Sequence, residues 1–128
     1  MSAPVPRSLK LHRQSRQLEL SYANDESYSL SSEYLRVYSP SAEVMGHGPG
    51  EEVLQTGKLN VGIVDVKPVG NYAVQLVFDD GHDTGLYSWD YLYTLCLEQG
   101  QRWERYLDRL AAADATRDPQ AQVLKLGD

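Results

Sequence analysis

The chain has 128 residues, of which 41% are hydrophobic and 23% are charged, a composition typical of one globular domain. Its formal net charge of −6 at pH 7 argues against nucleic acid as a partner, because an acidic domain repels the phosphate backbone. Cys96 is the only cysteine, so neither an intramolecular disulfide nor an all-cysteine metal site can form. No segment approaches the roughly 18 apolar residues needed to span a bilayer, and the first residues lack the apolar run of a signal peptide. These features predict a cytoplasmic protein that does not bind a membrane.

The beginning of the chain predicts a flexible arm followed by three strands. Two prolines within residues 1–7 favour a flexible arm. Apolar and polar residues alternate over residues 8–12 and 17–22, with a polar stretch between them, as in an antiparallel hairpin. Tyr28 and Leu30 predict a short third strand.

A short helix near residues 32–38 is predicted next. Ser31 or Ser32 can cap its first turn, and Pro40 ends it because the residue before a proline disfavours helical geometry. Residues 41–60 are rich in glycine and show no periodicity, so they predict a long loop.

A β-hairpin follows this loop. A β-branched run leads to Gly70-Asn71, a dipeptide typical of a two-residue hairpin turn. Alternation in the second strand predicts that four side chains face the core: Tyr72, Val74, Leu76 and Phe78. Pro68 lacks an amide donor, which predicts an edge position for the first strand.

The last element is predicted to be one long helix that begins at Trp89, is capped by Ser88 and bends near Gly100. Its apolar stripe follows helical spacing: Leu92, Leu95, Cys96, Trp103, Tyr106, Leu107 and Leu110. We therefore expect one domain over residues 8–115 and a flexible tail over 116–128. The fold class is predicted as α+β, with a small, mostly antiparallel sheet packed against one long C-terminal helix, plus the short helix near residues 32–38.

Carboxylates and an imidazole are concentrated after the second strand of the predicted hairpin. Asp79, Asp80, His82 and Asp83 could bind a divalent cation, since oxygen ligands with one imidazole suit manganese, iron or zinc. The alternative is a tight turn between the strand and the helix, in which glycines supply positive φ and the aspartates bind local amides.

Three segments together resemble the family named for the N-terminal domain of gamma-butyrobetaine hydroxylase. They are Tyr34-Leu35-Arg36 with Ser39-Pro40-Ser41-Ala42-Glu43, then Pro68-Val69-Gly70-Asn71-Tyr72-Ala73-Val74, and then Phe78-Asp79-Asp80-Gly81-His82 through Trp89. The resemblance extends over roughly residues 7–95, and it is the joint occurrence of the three segments that makes it specific.

The resemblance implies a zinc site that this chain has lost. In the hydroxylases this domain holds zinc through three cysteines and one histidine. His82 matches the histidine, but the cysteine positions fall on Ser39, Ser41 and Val44, which cannot replace thiolate ligands. Because hydrogen bonds must then take the place of the metal, we expect a polar cluster at one end of the sheet: Arg36, Ser39, Ser41, Glu43 and His82. Whether any other cofactor is bound is not predicted.

The resemblance also bears on function. In the hydroxylases the iron and 2-oxoglutarate chemistry belongs to a separate catalytic domain, which has no counterpart in this sequence, and relatives of the domain are fused to P-loop ATPases of the iron–sulfur carrier type. The resulting hypothesis is a non-enzymatic accessory or protein-interaction domain linked to iron–sulfur or metal handling, with a protein partner. The alternative is a metal-binding protein or metal-dependent enzyme that uses His82 with the neighbouring aspartates. A third hypothesis is a structural unit that acts as a homodimer.

Overall fold

Alternating leucines near the start of the chain form one face of an antiparallel sheet. The computed structural model describes residues 3–120. The first three strands are β1 (Ser8–His12), β2 (Gln17–Ser21) and β3 (Ser27–Ser31), in the order β1-β2-β3. Leu18 pairs with Leu11 on one side and with Leu30 on the other. Leu18 and Leu30 are fully buried, which confirms the predicted hairpin and third strand.

The other three strands form a second antiparallel sheet. They are β4 (Ile63–Val69), β5 (Ala73–Phe78) and β6 (Leu86–Ser88), in the order β4-β5-β6. β4 lies at an edge, as Pro68 predicts. Within residues 3–120 the strands are thus divided between two small sheets.

The turn between β4 and β5 differs from the predicted one. Val69 pairs with Ala73, so the turn contains three residues rather than two, and it begins with Gly70 at a φ of 53°. Tyr72 therefore belongs to the turn and is 57% exposed. Its predicted core position is wrong, and Ala73 is buried instead.

Four helices complete the fold of the described residues: α1 (Ser32–Val37), α2 (Ala42–Met45), α3 (Trp89–Leu97) and α4 (Gln99–Ala112). Ser31 caps α1 by accepting a hydrogen bond from the amide of Tyr34, and Ser88 caps α3 in the same way from Tyr91. The predicted short helix and both serine caps are confirmed.

The predicted long helix is divided in two. Glu98, with φ of −105° and ψ of 19°, departs from helical geometry just before α4 begins. Gly100 lies in the first turn of α4, where its low helix propensity disfavours a single continuous helix through this region. Within α4, Tyr106 and Leu110 are buried while Leu107 is 38% exposed. The predicted core position of Leu107 is wrong because helical spacing puts it at the edge of the apolar stripe.

α1 lies at the centre of the molecule. All six of its residues are buried, including Glu33 and Arg36. The main core joins side chains of both sheets with α1 and α3, which confirms an α+β fold. Because every face of α1 is covered, its charged side chains need partners within the protein.

The ends of the described chain contact the domain. Arg117 binds Glu33 through two hydrogen bonds of 2.6 and 2.7 Å, and the amide of Gly57 donates to the carbonyl of Thr116. These contacts fall within the tail predicted over 116–128, so its first residues are held to the domain. Residues 121–128 of that tail and residues 1–2 of the predicted arm lie outside the described residues. Within residues 3–120, no helix combines the length and apolarity needed to cross a membrane.

Candidate functional site

Two segments far apart in the sequence meet at a buried histidine. The link between α1 and α2 contributes Ser39, and the turn between β5 and β6 contributes His82. The hydroxyl of Ser39 lies 2.8 Å from Nε2 of His82, and Oε2 of Glu43 lies 3.3 Å from Nδ1 of the same ring. The His82 side chain is only 2% exposed, so both ring nitrogens face protein groups rather than solvent.

The first turn of α2 positions Glu43 towards the ring. Ser41 caps α2, and its hydroxyl accepts a hydrogen bond of 3.2 Å from the amide of Glu43. The same hydroxyl lies 2.7 Å from Oγ1 of Thr84, which in turn donates to Oε1 of Glu43 at 3.2 Å. A second set of hydrogen bonds therefore joins α2 to the turn, parallel to the Ser39–His82 contact.

The backbone of the turn fixes His82 opposite Ser39. The amide of Phe78 donates to the carbonyl of His82 at 2.9 Å, and Gly81 has a φ of 87°, a region that favours glycine. Gly85 is required for another reason, because a Cβ there would collide with Oγ of Ser39. Close approach of the two segments thus depends on a glycine.

Asp80 connects this turn to α1 and to the long loop. Its carboxylate accepts hydrogen bonds from Arg36 Nε at 2.8 Å and from Lys58 Nζ at 2.7 Å. Its other oxygen accepts from the amide of His82 at 3.2 Å. Burial alone raises the pKa of Asp80, but the hydrogen bonds from Lys58 and Arg36 outweigh it and lower the pKa from 3.8 to about 2. Asp80 is therefore ionised at neutral pH and offsets the charge of the buried Arg36.

His82 is held in its neutral form. Desolvation by burial and the nearby Arg36 guanidinium lower the pKa of His82 below its ordinary value of 6.5, against the opposing effect of Glu43 and Asp80. A neutral imidazole has one donor and one acceptor. Both are satisfied when Nδ1–H donates to Glu43 and the Ser39 hydroxyl donates to Nε2.

Serine, histidine and glutamate follow each other here in the order of a nucleophilic triad. Such a triad requires a serine that a substrate can reach, yet Ser39 has 0% exposure. The described conformation therefore leaves no path from solvent to Oγ of Ser39. In this conformation the hydrogen-bonded serine, histidine and glutamate cross-link two segments of the chain.

The donor set at this position does not fit the family's zinc. The matching residues offer two hydroxyls, from Ser39 and Ser41, and the aliphatic side chain of Val44 in place of three thiolates. A structural zinc site needs four ligands of sulfur, nitrogen or carboxylate type. Of the four residues at the matching positions, only His82 supplies such a ligand.

The three aspartates predicted as ligands are not gathered around His82. The Asp80 carboxylate faces Arg36 and Lys58, while Asp79 and Asp83 are exposed. Within residues 3–120 no three histidine, cysteine or acidic side chains are grouped so that they could hold a metal ion.

Sequence reasoning did not identify Lys58 and Thr84 as members of this cluster. Lys58 comes from the loop without periodicity, so nothing in its local pattern predicted a partner 22 residues away. Thr84 lies inside the third resemblance segment, Phe78 through Trp89, and that segment is the signal in the sequence that could have identified it. Their side chains complete the hydrogen bonding of Asp80 and Ser41.

A cavity of about 420 Å³ lies away from this cluster and is lined by Ser31, Tyr34, Gln99, Gly100 and Trp103. Three of its polar side chains form hydrogen bonds within the fold. Ser31 caps α1, Tyr34 donates to the carbonyl of Leu95, and Gln99 donates to the carbonyl of Ser29. The cavity presents more apolar than polar surface.

Comparison with known proteins establishes the family. The family model described as gamma-butyrobetaine hydroxylase-like, N-terminal, matches residues 9–93. An NMR solution structure with 54% identity aligns over 98% of both chains with a TM-score of 0.82. A second, with 57% identity, aligns over 98% of this chain and 95% of the other with a TM-score of 0.78.

A crystal structure extends the comparison to a protein of unknown function of the DUF971 family from Acidithiobacillus ferrooxidans. It is 40% identical over 70% of this chain and 90% of the other, with a TM-score of 0.58. No curated protein matches the chain. With most of its length matched by one family model, this chain belongs to the gamma-butyrobetaine hydroxylase-like N-terminal domain family.

Proposed function

We propose that this chain is a non-enzymatic accessory domain that acts by binding another protein. The observation that carries the proposal is the burial of His82, whose side chain is 2% exposed and whose ring nitrogens both face protein groups. A general base must reach the proton that it removes, and a metal ligand must present a free nitrogen. In the described conformation His82 does neither, which favours a structural role for the cluster and a binding role for the surface.

The partner class that we propose to test first is an iron–sulfur carrier protein. The support is the resemblance, because relatives of this domain are fused to P-loop ATPases of that type. Two domains that are fused in one protein commonly work together. We therefore expect a separate chain of the same family to bind the corresponding carrier protein non-covalently.

The alternative function is a metal site built from His82 with Asp79, Asp80 and Asp83. It has less support, because Asp80 is engaged by two cationic side chains. Metal analysis of protein purified without an affinity tag, followed by thermal melting with and without chelator, tests it directly. One metal ion per chain and a chelator-dependent melting temperature would favour this alternative.

Native complex formation tests the leading proposal. The endogenous chain is followed by antibody through gel filtration of a fresh cell extract, and its co-eluting proteins are identified by affinity capture. We expect elution well ahead of the purified chain run in the same buffer, with one protein recovered in stoichiometric amount. Elution of the extract and purified samples at the same volume would contradict the proposal. The purified chain also serves as the control for self-association.

A further inference from the structure

A groove lined by three arginines lies between α4 and the segment around α2. Arg102, Arg105 and Arg109 are spaced by three and four residues along α4, so they share one face of that helix, and all three line a cavity of about 150 Å³. Glu52 is the one acidic residue among the residues that line it. In a chain with a net charge of −6, the groove is thus a local concentration of positive charge.

The arginines keep most of this charge available. Arg105 is exposed, and its guanidinium forms no hydrogen bond or ion pair with residues 3–120. Arg109 donates to the backbone carbonyl of Glu52 at 3.3 Å, and no carboxylate among the described residues pairs with its charge. Arg102 pairs with Glu98 at 2.9 Å and lies over the ring of Tyr38, 5.3 Å from its centroid.

The opposite wall of the groove is apolar and exposed. Met45 and Val53 are 42% and 52% exposed although both line the cavity. The amide of Val53 donates to the carbonyl of Val44 at 2.8 Å, which holds the two parts of the wall together. Gly46 allows the chain to fold back here, because a Cβ on it would collide with the carbonyl of Glu51.

The buried cluster at His82 fixes this wall in place. Ser41 and Glu43 anchor the first turn of α2 through Thr84 and His82. Val44 and Met45 follow in the same short helix and line the groove. The geometry of the cluster therefore determines the position of the groove wall through a single turn of helix.

We propose that this groove binds an acidic segment of a partner protein, with one apolar side chain of that segment seated against Met45 and Val53. This inference rests on the proposed function, since it names the chemistry of the partner. Charge complementarity supports an acidic ligand. The cavity is smaller than the about 300–1,000 Å³ of small-molecule sites, so it suits one side chain of a protein. Arginine and aromatic side chains at a partly apolar surface are typical of the central contacts of interfaces.

Selection from a displayed library of random peptides tests this chemistry even while the partner is unidentified. The wild-type chain is the target, and the Arg105→Glu, Arg109→Glu double variant is the counter-target. Lys67→Glu on β4, which contributes nothing to the groove, is the control for a charge reversal elsewhere on the surface. Because Arg109 contacts the Glu52 carbonyl, thermal melting confirms folding, and Arg105→Gln provides a second variant at an exposed position.

We expect the selected peptides to combine acidic residues with one required apolar residue. Their affinity should fall about tenfold or more in the double variant, fall less in Arg105→Gln, and remain unchanged in Lys67→Glu. Higher salt should weaken binding, because the Debye length shortens.

Peptides without acidic residues, or peptides that bind the double variant equally well, would overturn the groove assignment but leave a protein-interaction function intact. An absence of selected peptides, together with a monomeric chain in cell extract, would overturn both. A concentration-dependent dimer that the double variant abolishes would assign the groove to a second copy of this chain and overturn the acidic partner.

Discussion

Ser39 and His82 are 43 residues apart in sequence, yet Oγ of one lies 2.8 Å from Nε2 of the other. The resemblance places a zinc ligand at each of these positions. Here a hydrogen bond between two buried side chains joins the same two segments. A hydrogen bond between neutral side chains supplies far less energy to such a cross-link than a bound metal would, since a typical hydrogen bond contributes about 1 kcal/mol.

Loss of the Asp80 charge should destabilise the fold. In Asp80→Asn the buried Arg36 guanidinium loses its carboxylate partner, which is 23% exposed and 2.8 Å away. We expect a decrease of about 1 to 2 kcal/mol in the free energy of unfolding, after allowance for screening by water. Urea denaturation measures it. Asp79→Asn, which changes the adjacent exposed aspartate, is the control, and an equal effect of the two substitutions would refute the role given to Asp80.

Stability should fall when the pH drops through the titration of His82. Burial lowers the pKa of His82 in the folded chain below 6.5, so the unfolded chain takes up this proton at a higher pH. Between the two pKa values the unfolded state binds more protons, and stability increases with pH. Stability supported by the neutral ring is thus present above about pH 6.5 and lost below it. Asp80 titrates lower, between 3.8 and about 2, and does not interfere.

Unfolding experiments from about pH 7.5 to about pH 5 measure this effect. His82→Gln should give a shallower slope than wild type. An NMR titration of the imidazole gives an independent reading, and a midpoint at or above 6.5 would contradict the environment described for His82.

Restoring thiolates should create a zinc site. We expect the combined substitutions Ser39→Cys, Ser41→Cys and Val44→Cys to bind zinc with His82, because the set then has four suitable ligands. Zinc should raise the melting temperature of this variant, since a ligand selective for the folded state stabilises it. The same triple variant with His82→Ala is the control. A large zinc-induced shift in the wild-type chain would contradict the account.

The Arg117–Glu33 pair should hold the end of the domain in place. Glu33 is nearly buried, with its side chain 6% exposed, whereas Arg117 is 36% exposed. Arg117→Ala leaves a buried carboxylate without a partner and should cost about 2 kcal/mol in the free energy of unfolding. Adding Glu33→Gln removes the orphaned charge and should recover part of this loss. Purely additive effects in the double-mutant cycle would show that the two side chains do not depend on each other.

Local patterns determined most of the secondary structure. Alternation of leucines predicted β1 and β2, and hydroxyl caps predicted the starts of α1 and α3, because these signals depend on neighbours within one turn or one strand. The turn at Gly70 and the break at Glu98 were less well predicted, since a local signal does not reveal whether a turn takes two residues or three, or where one helix divides. Tyr72 was misplaced because the turn takes three residues, and Leu107 because the buried stripe of α4 is narrower than its apolar pattern.

The sequence by itself also determined which residue types stand at the positions that the resemblance matches to zinc ligands, and thereby that thiolate ligation cannot occur there. Only the tertiary structure decided which groups join the two segments there. Lys58 and Thr84 contribute hydrogen bonds to the cluster. The Asp80 carboxylate pairs with Arg36 instead of forming part of a cation site. A buried guanidinium needs a charge partner, and the fold brings this carboxylate within reach. Pairings of this kind depend on contacts between distant segments, and no local pattern of residues contains them.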